Sequence, residues 1–436
     1  MDRPASEAPP PSDPAPRGSE AAEGPPPLDG AQRRRGRRLA ITSHPFGMTF
    51  QHVFTQPLPT LALLALGASE SVIGIQSACV FGTLVLQLPT LRAIAHWPKR
   101  RILVLAHVLA IAAALPLLGF RQLAELDAGL SVALASFAAL AAAASISNTV
   151  WFPLLRGYVE PERIGRFFGT LRTGWHLTLI LYFLGSQAWL AAHPDDFAPV
   201  FWIAFAFGLA RIPLIARMPE RSERTGERIR VREALALARE QRMRRYLLGV
   251  AWGQAGRATT IPFAMVMLQR EVGISQSSLV LATAAIFAGG LASLYLWGRL
   301  VDRAGAAPVF TGCSLGMGGL VLALALAGGS GTVTLGAALA FFFLYAALHA
   351  GFGVADTHVL FGLTPDHAPS RALVLGSVAV GGIAGLTPLL AGAALEAALD
   401  GAADRLEIYR GFFLALGALQ ALAFLPLRGF TRERRD

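Results

Sequence analysis

The sequence predicts an all-α membrane protein in which twelve transmembrane helices form two pseudo-symmetric six-helix bundles. Only 15% of its 436 residues are charged, against roughly 25% in soluble domains. Apolar residues make up 54% of the chain, and they occur in runs of the ~20 residues that a helix needs to cross a bilayer. A single long charged interval, residues 217–246, holds ten arginines and five glutamates and separates two apolar halves.

Twelve apolar runs, numbered here as spans one to twelve, can each cross a hydrocarbon core of about 30 Å. Spans one to six are predicted at residues 46–66, 71–91, 102–120, 129–152, 168–190 and 198–216. Spans seven to twelve are predicted at residues 247–268, 277–297, 308–327, 333–360, 372–395 and 411–428. The charged interval cannot lie in a bilayer without a large desolvation cost, so it is predicted to be a loop.

The predicted domains follow from these spans. They are a disordered Pro/Ala-rich tail with a basic cluster (1–40), an N-terminal bundle (41–217), a charged linker with an amphipathic helix (218–245), a C-terminal bundle (246–429) and a short tail (430–436). The first segment is rich in Pro, Ala, Gly and Glu and contains nothing that could form a core. In the linker, Val231, Leu235 and Ala238 lie at helical spacing, which predicts a helix on the membrane surface.

Basic residues predict the orientation. If the chain alternates across the membrane, one side holds Arg33–Arg38, the linker and Arg428–Arg435. The loops on that side carry most of the loop arginines. Because such residues concentrate in cytoplasmic loops, we expect both termini to be cytoplasmic in a multi-pass protein of the cell membrane. This distribution also accounts for the net charge of +10 without a nucleic-acid partner.

The two halves repeat each other. Gln51 and Pro59 in span one recur as Gln254 and Pro262 in span seven, at the same spacing and an offset of 203 residues. The openings of spans two and eight are also similar, Gly67-Ala-Ser-Glu-Ser against Gly273-Ile-Ser-Gln-Ser. Two six-span halves of the same polarity predict a parallel repeat about an axis along the membrane normal.

The loop after span eight reads Gly298-Arg-Leu-Val-Asp302-Arg303-Ala-Gly305. It resembles GxLxDRxG, the cytoplasmic loop signature of the major facilitator superfamily, and the resemblance covers residues 41–430. The resemblance implies that Gly298, Asp302, Arg303 and Gly305 form a gating loop that holds the cytoplasmic side together during alternating access. It also implies that Asp302 faces the start of span five, near residues 165–172, where a helix N-terminus attracts a carboxylate.

The first-half copy of that loop departs from the family pattern. Arg92 replaces the leading glycine and His96 replaces the aspartate. Ordinary gating by the first loop is therefore in doubt. An alternative function follows, that of a transporter-like scaffold or sensor without transport activity.

Polar residues inside spans are the candidates for substrate contact, because each is costly there unless it faces a cavity or a partner. In span one, Gln51, His52, Thr55 and Gln56 form a polar stripe that ends at Pro59. The stripe is too polar to face lipid. Two interpretations remain open: it lines a central cavity, or it forms hydrogen bonds to other helices.

Span seven contains Gln254 and Arg257 near its middle. Snorkelling to either membrane surface is hardest at that depth. Arg257 is therefore the strongest single candidate for contact with a substrate or coupling ion. The alternative is a structural ion pair.

Further candidates lie in spans four, five and ten. Tyr345, His349 and Asp356 share one face of span ten, where Asp356 either pairs with a basic residue near the inner gate or carries a proton. The remaining candidates are Asn148, Arg172 and His176. Arg211 in span six is close enough to the inner surface for us to expect that its side chain extends to the membrane surface.

These residues predict a secondary active transporter for a small solute. The span residues include more cationic groups than acids, which favours an anionic or zwitterionic substrate. Coupling to a proton or solute gradient is expected, because the sequence contains no phosphate-binding loop for ATP. No catalytic constellation is present, and Cys79 and Cys313 lack metal-ligand spacing, so we expect neither an enzyme nor a cofactor or metal. We expect a monomer in the lipid bilayer.

Overall fold

The computed structural model describes residues 28–430, with gaps at 56, 95, 161–162, 221–237, 330–332 and 364–368. Side chains are described except at 164–165, 328–329, 361 and 369–375. All regular secondary structure within these residues is helical, which confirms the predicted all-α class. Most of the predicted tail, the core of the linker helix, the last six residues and Gln56 lie outside the described residues.

The helices follow the predicted spans. In the first half they are α1 (Gly30–Thr55), α2 (Leu58–Ala65), α3 (Glu70–Gly82), α4 (Gln87–Ile94), α5 (Lys99–Leu118), α6 (Phe120–Glu125), α7 (Gly129–Leu155), α8 (Ile164–Ala192) and α9 (Ala198–Ala216). In the second half they are α10 (Gln241–Arg270), α11 (Gln276–Ala304), α12 (Ala306–Gly329), α13 (Leu335–Leu363), α14 (Pro369–Leu399) and α15 (Arg405–Leu422). Short 3₁₀ segments cover Thr83–Leu86, Arg156–Tyr158 and Leu425–Leu427.

Nine helical segments among the described residues are long and apolar enough to cross a membrane. The three predicted spans missing from that set are spans one, five and seven, formed by α1 with α2, by α8 and by α10. These helices carry most of the candidate polar residues, including His52, His176 and Arg257. Their lower hydropathy therefore reflects polar groups that face the interior of the protein.

The first helix begins earlier than predicted. The backbone N–H of Gln32 donates to Asp29 Oδ1 at 2.7 Å, and the N–H of Asp29 donates to Gln32 Oε1 at 3.1 Å. This reciprocal pair is a capping box, which satisfies donors that a helix start would otherwise leave unpaired. The arginines of the predicted basic cluster, Arg33–Arg38, belong to α1.

Span one is interrupted, although it was predicted as one helix with a continuous polar face. The helix α1 ends at Thr55 and α2 begins at Leu58, with Pro57 as its N-cap. Proline has no N–H to donate and its ring clashes with the preceding turn, so a helix cannot pass through it undisturbed. The stripe that begins at Gln51 consequently does not continue on one helical face as far as Pro59.

Packing divides the helices into two bundles. In the first, α1 packs on α7, α8 and α9, and α5 packs on α7 and α9. In the second, α10 packs on α14 and α15, and α11 and α12 both pack on α13. Gly67 and Gly273, equivalent positions in the sequence repeat, both have φ of 79°. Glycine adopts this left-handed conformation without steric cost, so both loops turn in the same way into the next span.

The two bundles meet along α3 with α14 and along α8 with α11. Glycines allow close approach at the first contact: a Cβ on Gly74 would lie 2.5 Å from Pro388 O, and a Cβ on Gly392 would lie 2.6 Å from Glu70 O. A Cβ on Gly385 would lie 3.0 Å from Gly82 N. Gly385 and Gly392 of span eleven thus serve helix packing between the bundles.

Candidate functional site

A cavity of about 210 Å³ lies between the two bundles. The first half contributes α1, α2, α3 and α8 to its wall, and the second half contributes α10, α11 and α13. Its polar and aromatic lining residues are His52, Thr55, Thr60, Gln76, Ser77, Phe81, Trp175, His176, Arg257, Phe287, Tyr345 and His349. Because both halves form the wall, a relative movement of the bundles changes the shape of this cavity.

The second-half wall presents polar groups. Arg257 on α10 lies beside the cavity together with Tyr345 and His349 of α13. His349 Nε2 donates to Gln254 Oε1 at 3.3 Å, which orients the ring from α10. The hydroxyl of Tyr345 is buried, and the Thr260 side chain is close enough to interact with it. A guanidinium and a hydroxyl here form a donor set suited to an oxyanion.

The opposite wall is aromatic. The rings of His52 and Trp175 stack at a centroid distance of 4.9 Å, and the His176 ring lies 3.7 Å from that of Trp175. Phe287 of α11 approaches Trp175 edge-on at 6.0 Å. Stacked and edge-to-face rings of this kind offer a flat apolar surface to a planar ligand.

The two histidines of this wall have the same local geometry. His52 Nδ1 donates to Met48 O at 2.9 Å, and His176 Nδ1 donates to Arg172 O at 2.8 Å. A carbonyl only accepts, so Nδ1 carries the proton in both rings. Each Nε2 is then free to accept a hydrogen bond when the ring is neutral, or to donate one when it is protonated.

No aspartate or glutamate lines the cavity among the residues that the structure describes. The ionisable lining groups are Arg257, His52, His176 and His349, together with the phenol of Tyr345. The charge that this wall can carry is therefore positive. A negative group would find complementary charge here, whereas a cation would not.

The predicted site residues separate into three groups. His52, Thr55, His176, Arg257, Tyr345 and His349 line the central cavity, as their placement inside spans indicated. Gln254 supports His349, while Gln51 and Thr55 line a second, smaller cavity inside the first bundle. Asn148 and Arg172 do not line either cavity: Asn148 is half-buried and Arg172 is exposed near the start of α8.

Asp356 contacts a tyrosine rather than a basic residue. Tyr246 Oη donates to Asp356 Oδ1 at 2.5 Å, which ties α10 to α13 within the second bundle. Among the described residues no arginine, lysine or histidine forms an ion pair with this carboxylate. Asp356 was predicted either to pair with a basic residue or to carry a proton. The described residues show no such pairing.

The predicted gating loop lies where α11 ends. Gly305 has φ of 84°, and it closes α11 before α12 begins at Ala306. Asp302 and Arg303 are exposed and make no ion pair with the described residues. The contact of Asp302 with the start of span five therefore stays a prediction, for a conformation in which this end is closed.

Arg211 does not extend to the membrane surface, so that prediction is wrong. Its side chain is only 5% exposed, and its guanidinium carbon lies 5.0 Å from the centre of the Trp151 ring. The guanidinium occupies the place where a side chain on Gly47 would lie. Because Gly47 has no side chain, Arg211 fits between α1 and α7 within the bundle.

A cluster of charged residues joins the halves at the far end, the end of the bundle opposite to Gly30. The far-end cluster consists of Glu70, Arg270, Glu271, Arg405 and Tyr409. Glu70 Oε1 accepts from Arg270 Nη1 at 2.8 Å and from Tyr409 Oη at 2.8 Å. Arg405 Nε donates to Glu271 Oε1 at 2.8 Å.

A second contact lies next to the far-end cluster. Glu396 Oε2 of α14 accepts from Ser69 Oγ at 2.7 Å and from the Ser71 N–H at 2.8 Å. These residues lie at the ends of spans, so a search for polar groups in the middle of spans does not find them. A signal was available, since Glu70 and Gln276 are equivalent positions of the repeat and both contact the opposite half.

No protein-family profile matches this sequence, and no curated protein matches it significantly. Solved structures do match. A D323A mutant of the nucleoside transporter NupG is similar with a TM-score of 0.67 at 14% identity, over 90% of this chain and 99% of that chain. A bacterial homolog to the human lysosomal transporter Spinster, inward-facing and occupied, gives 0.68 at 16% identity over 93% and 98%.

A POT family transporter in complex with a thioalcohol-conjugated peptide gives a TM-score of 0.68 at 12% identity, over 90% of this chain and 96% of that chain. Each of these structures is matched over nearly its whole length. Identities this low establish the fold alone. The protein therefore has the twelve-helix fold of the major facilitator superfamily.

Proposed function

We propose that the protein is a secondary active transporter that moves a small solute across the membrane by alternating access. The observation that carries this proposal is the central cavity, because its wall is shared by both bundles. The far-end cluster and Glu396 bind the bundles together at one end. At the other end Asp302 is exposed and makes no ion pair within the described part of the chain, which fits a state open on the side of the termini.

The substrate proposed for this cavity is a small organic anion or a zwitterion. Arg257 supplies a positive charge, and Tyr345 adds a hydroxyl to the same wall. A carboxylate is the commonest group of small metabolites that guanidinium binds through two parallel hydrogen bonds. The rings of Trp175 and His52 suit a flat or apolar portion of the same molecule.

Coupling to a proton gradient is the proposed energy source, with a solute gradient as the alternative. Asp356 supports the proton option because its contact is the neutral hydroxyl of Tyr246. A carboxylate without a cationic partner in a membrane span loses less on protonation than one held in an ion pair. Flux into proteoliposomes with and without a pH gradient distinguishes the two options.

The substrate can be sought by thermal stabilisation of the purified protein. The first compounds to test are nucleosides, short peptides and 5-aminolevulinic acid, because transporters of this fold act on or bind them. Small aromatic carboxylates complete the set, since they match the charge and the rings of the cavity. A ligand that binds the folded state raises the melting temperature, and the rise grows with the ratio of ligand concentration to dissociation constant.

The central test is Arg257→Gln. Replacing the guanidinium by an amide removes the charge that we assign to the substrate anion, and losing a charge-assisted hydrogen bond costs about 1.5–3 kcal/mol. We therefore expect initial uptake at low substrate concentration to fall by about tenfold or more. Uptake is measured in proteoliposomes with the radiolabelled ligand found by the stabilisation screen.

Arg244→Gln is the matched control, because Arg244 lies on the same helix and is exposed near its start. Its uptake should equal that of the wild type. Undiminished uptake of an anionic substrate by Arg257→Gln would contradict the proposed role of Arg257. If the wild type binds a ligand but shows no flux under any gradient, the scaffold or sensor alternative is favoured instead.

A further inference from the structure

A second cavity lies inside the first bundle, apart from the central one. It measures about 20 Å³ and is enclosed by α1, α5, α7 and α9. Its polar wall includes Arg211, Gln51, Ser147 and His107. We call this space the Arg211 pocket.

Arg211 is a buried charge without a counter-charge. Its side chain is 5% exposed, and Nε is fully buried without a hydrogen bond. Among the described residues no carboxylate forms an ion pair with it, and its guanidinium lies over the face of Trp151. A buried guanidinium that lacks a partner carries a large desolvation penalty.

The other groups of the pocket do not supply negative charge. His107 Nε2 donates to Gly208 O at 2.9 Å, so this ring is held by the backbone of α9. The Ser147 hydroxyl and the Gln51 amide make no hydrogen bond to the described residues. Both can donate into the pocket, so the donors that converge there outnumber the acceptors.

We propose that the Arg211 pocket binds one monatomic anion of halide size. The ion neutralises the guanidinium and accepts hydrogen bonds from Ser147 and Gln51. A volume of about 20 Å³ exceeds the roughly 10–15 Å³ that one water-sized sphere requires. The pocket is too small for a carboxylate or phosphate group together with the rest of the molecule that carries it.

The pocket adjoins the central cavity without being part of it. Thr55 lines both spaces, and its hydroxyl donates to Gln51 O at 2.8 Å. The pocket therefore extends from Gly47, beside the Arg211 guanidinium, to Thr55 at the end of α1. The proposal concerns the first bundle alone and does not depend on transport through the central cavity.

The test is the melting temperature of the purified protein in sodium gluconate, chloride and bromide at equal ionic strength. Gluconate is too large for the pocket, so it serves as the ion-free reference. At a halide concentration well above the dissociation constant, we expect the melting temperature to rise by about 3 °C. In Arg211→Met this rise should disappear, because the charge is removed while the length of the side chain is kept.

Arg217→Met is the matched control, since Arg217 follows the same helix and is exposed. It should keep the full halide effect. Ser147→Val fills the pocket without touching the guanidinium, and it should abolish the halide effect even if Arg211→Met does not fold.

A crystal of the wild type soaked in bromide needs no variant. An anomalous peak beside the Arg211 guanidinium supports the proposal. A water molecule there without anomalous signal overturns it, as does a melting temperature that is equal in gluconate and halide. A halide effect that persists in both Arg211→Met and Ser147→Val also overturns it.

Discussion

At the scale of single residues, two buried arginines show how the surroundings decide the role of one residue type. Arg257 lies on a wall that both bundles share, so its charge faces a space that changes when the bundles move. Arg211 lies within one bundle, against Trp151 and Gly47. The position of Arg257 suits the substrate proposed for the central cavity, and that of Arg211 suits the anion proposed for the Arg211 pocket.

The contact between Tyr246 and Asp356 leads to a prediction about stability. Tyr246→Phe removes the donor at 2.5 Å and leaves a carboxylate oxygen without that partner inside the bundle. A buried acceptor that loses its donor costs about 1–3 kcal/mol. We expect the free energy of unfolding to fall by about that amount, measured by denaturation of the purified protein.

Tyr295→Phe is the control for this change, because the Tyr295 ring is 71% exposed. Exposed substitutions away from special features alter stability by about 0.5 kcal/mol or less. Equal stability of the two variants would show that the hydroxyl of Tyr246 contributes nothing through Asp356.

At the scale of helices, the contact of α3 with α14 depends on the absence of side chains. The backbones approach so closely that a Cβ on Gly392 would lie 2.6 Å from Glu70 O. Such close approach replaces side-chain packing by backbone contacts, which is common where helices meet in membranes. The sequence does not distinguish the glycines of span eleven from one another. In the structure, only some of them lie at the contact with α3.

Gly392→Val tests this contact. The added side chain would overlap with the backbone of α3, and overpacking of this kind costs about 1–3 kcal/mol. We expect a lower melting temperature and a larger separation between the two helices. Gly382→Val is the matched control on the same helix, because a Cβ there meets nothing within 4 Å. An equal fall in the melting temperature of both variants would show that the altered helix propensity of α14, rather than the contact with α3, is the cause.

At the scale of the whole molecule, the far-end cluster joins the two halves at one end. Glu70 is 4% exposed and accepts from Arg270 and Tyr409, both of which belong to the opposite half. A buried carboxylate is satisfied here only while the halves are together. Separation of the halves at this end must break those contacts, so in the proposed transport cycle their strength would set the balance between the two conformations.

Glu70→Gln keeps the shape of the side chain and removes its charge. A loss of about 1.4 kcal/mol in the contact would shift the conformational equilibrium about tenfold toward the state open at the far end. Spin labels at residues 126 and 400, in exposed loops of the two halves, report this change. We expect a longer distance between the labels to gain population.

Glu407→Gln is the control for the far-end cluster. Glu407 is 61% exposed in its side chain and pairs only within α15, with Arg410 at 3.1 Å. In Glu407→Gln, the distribution of distances between the two spin labels should match that of the wild type. If Glu70→Gln also matches the wild type, the far-end cluster does not hold the halves together.

The sequence predicted the helices well and the site in part. Spans could be located because the bilayer requires about 20 apolar residues for each crossing. His52, His176, Arg257, Tyr345 and His349 were found because polar groups in a span must face the interior. Trp175 and Phe287 could not be found this way, since aromatic residues in a span face lipid and cavity with nearly equal cost.

By itself, the sequence determined the membrane class, the helices, the repeat of the halves and most polar residues of the cavity. These follow from local composition and spacing, which the bilayer constrains strongly. Only the tertiary structure decided that Arg211 lies over Trp151, that Asp356 meets Tyr246 and that Glu70 joins the two halves. Such contacts join residues far apart in the chain, and their partners depend on how the helices pack rather than on the spacing within any one helix.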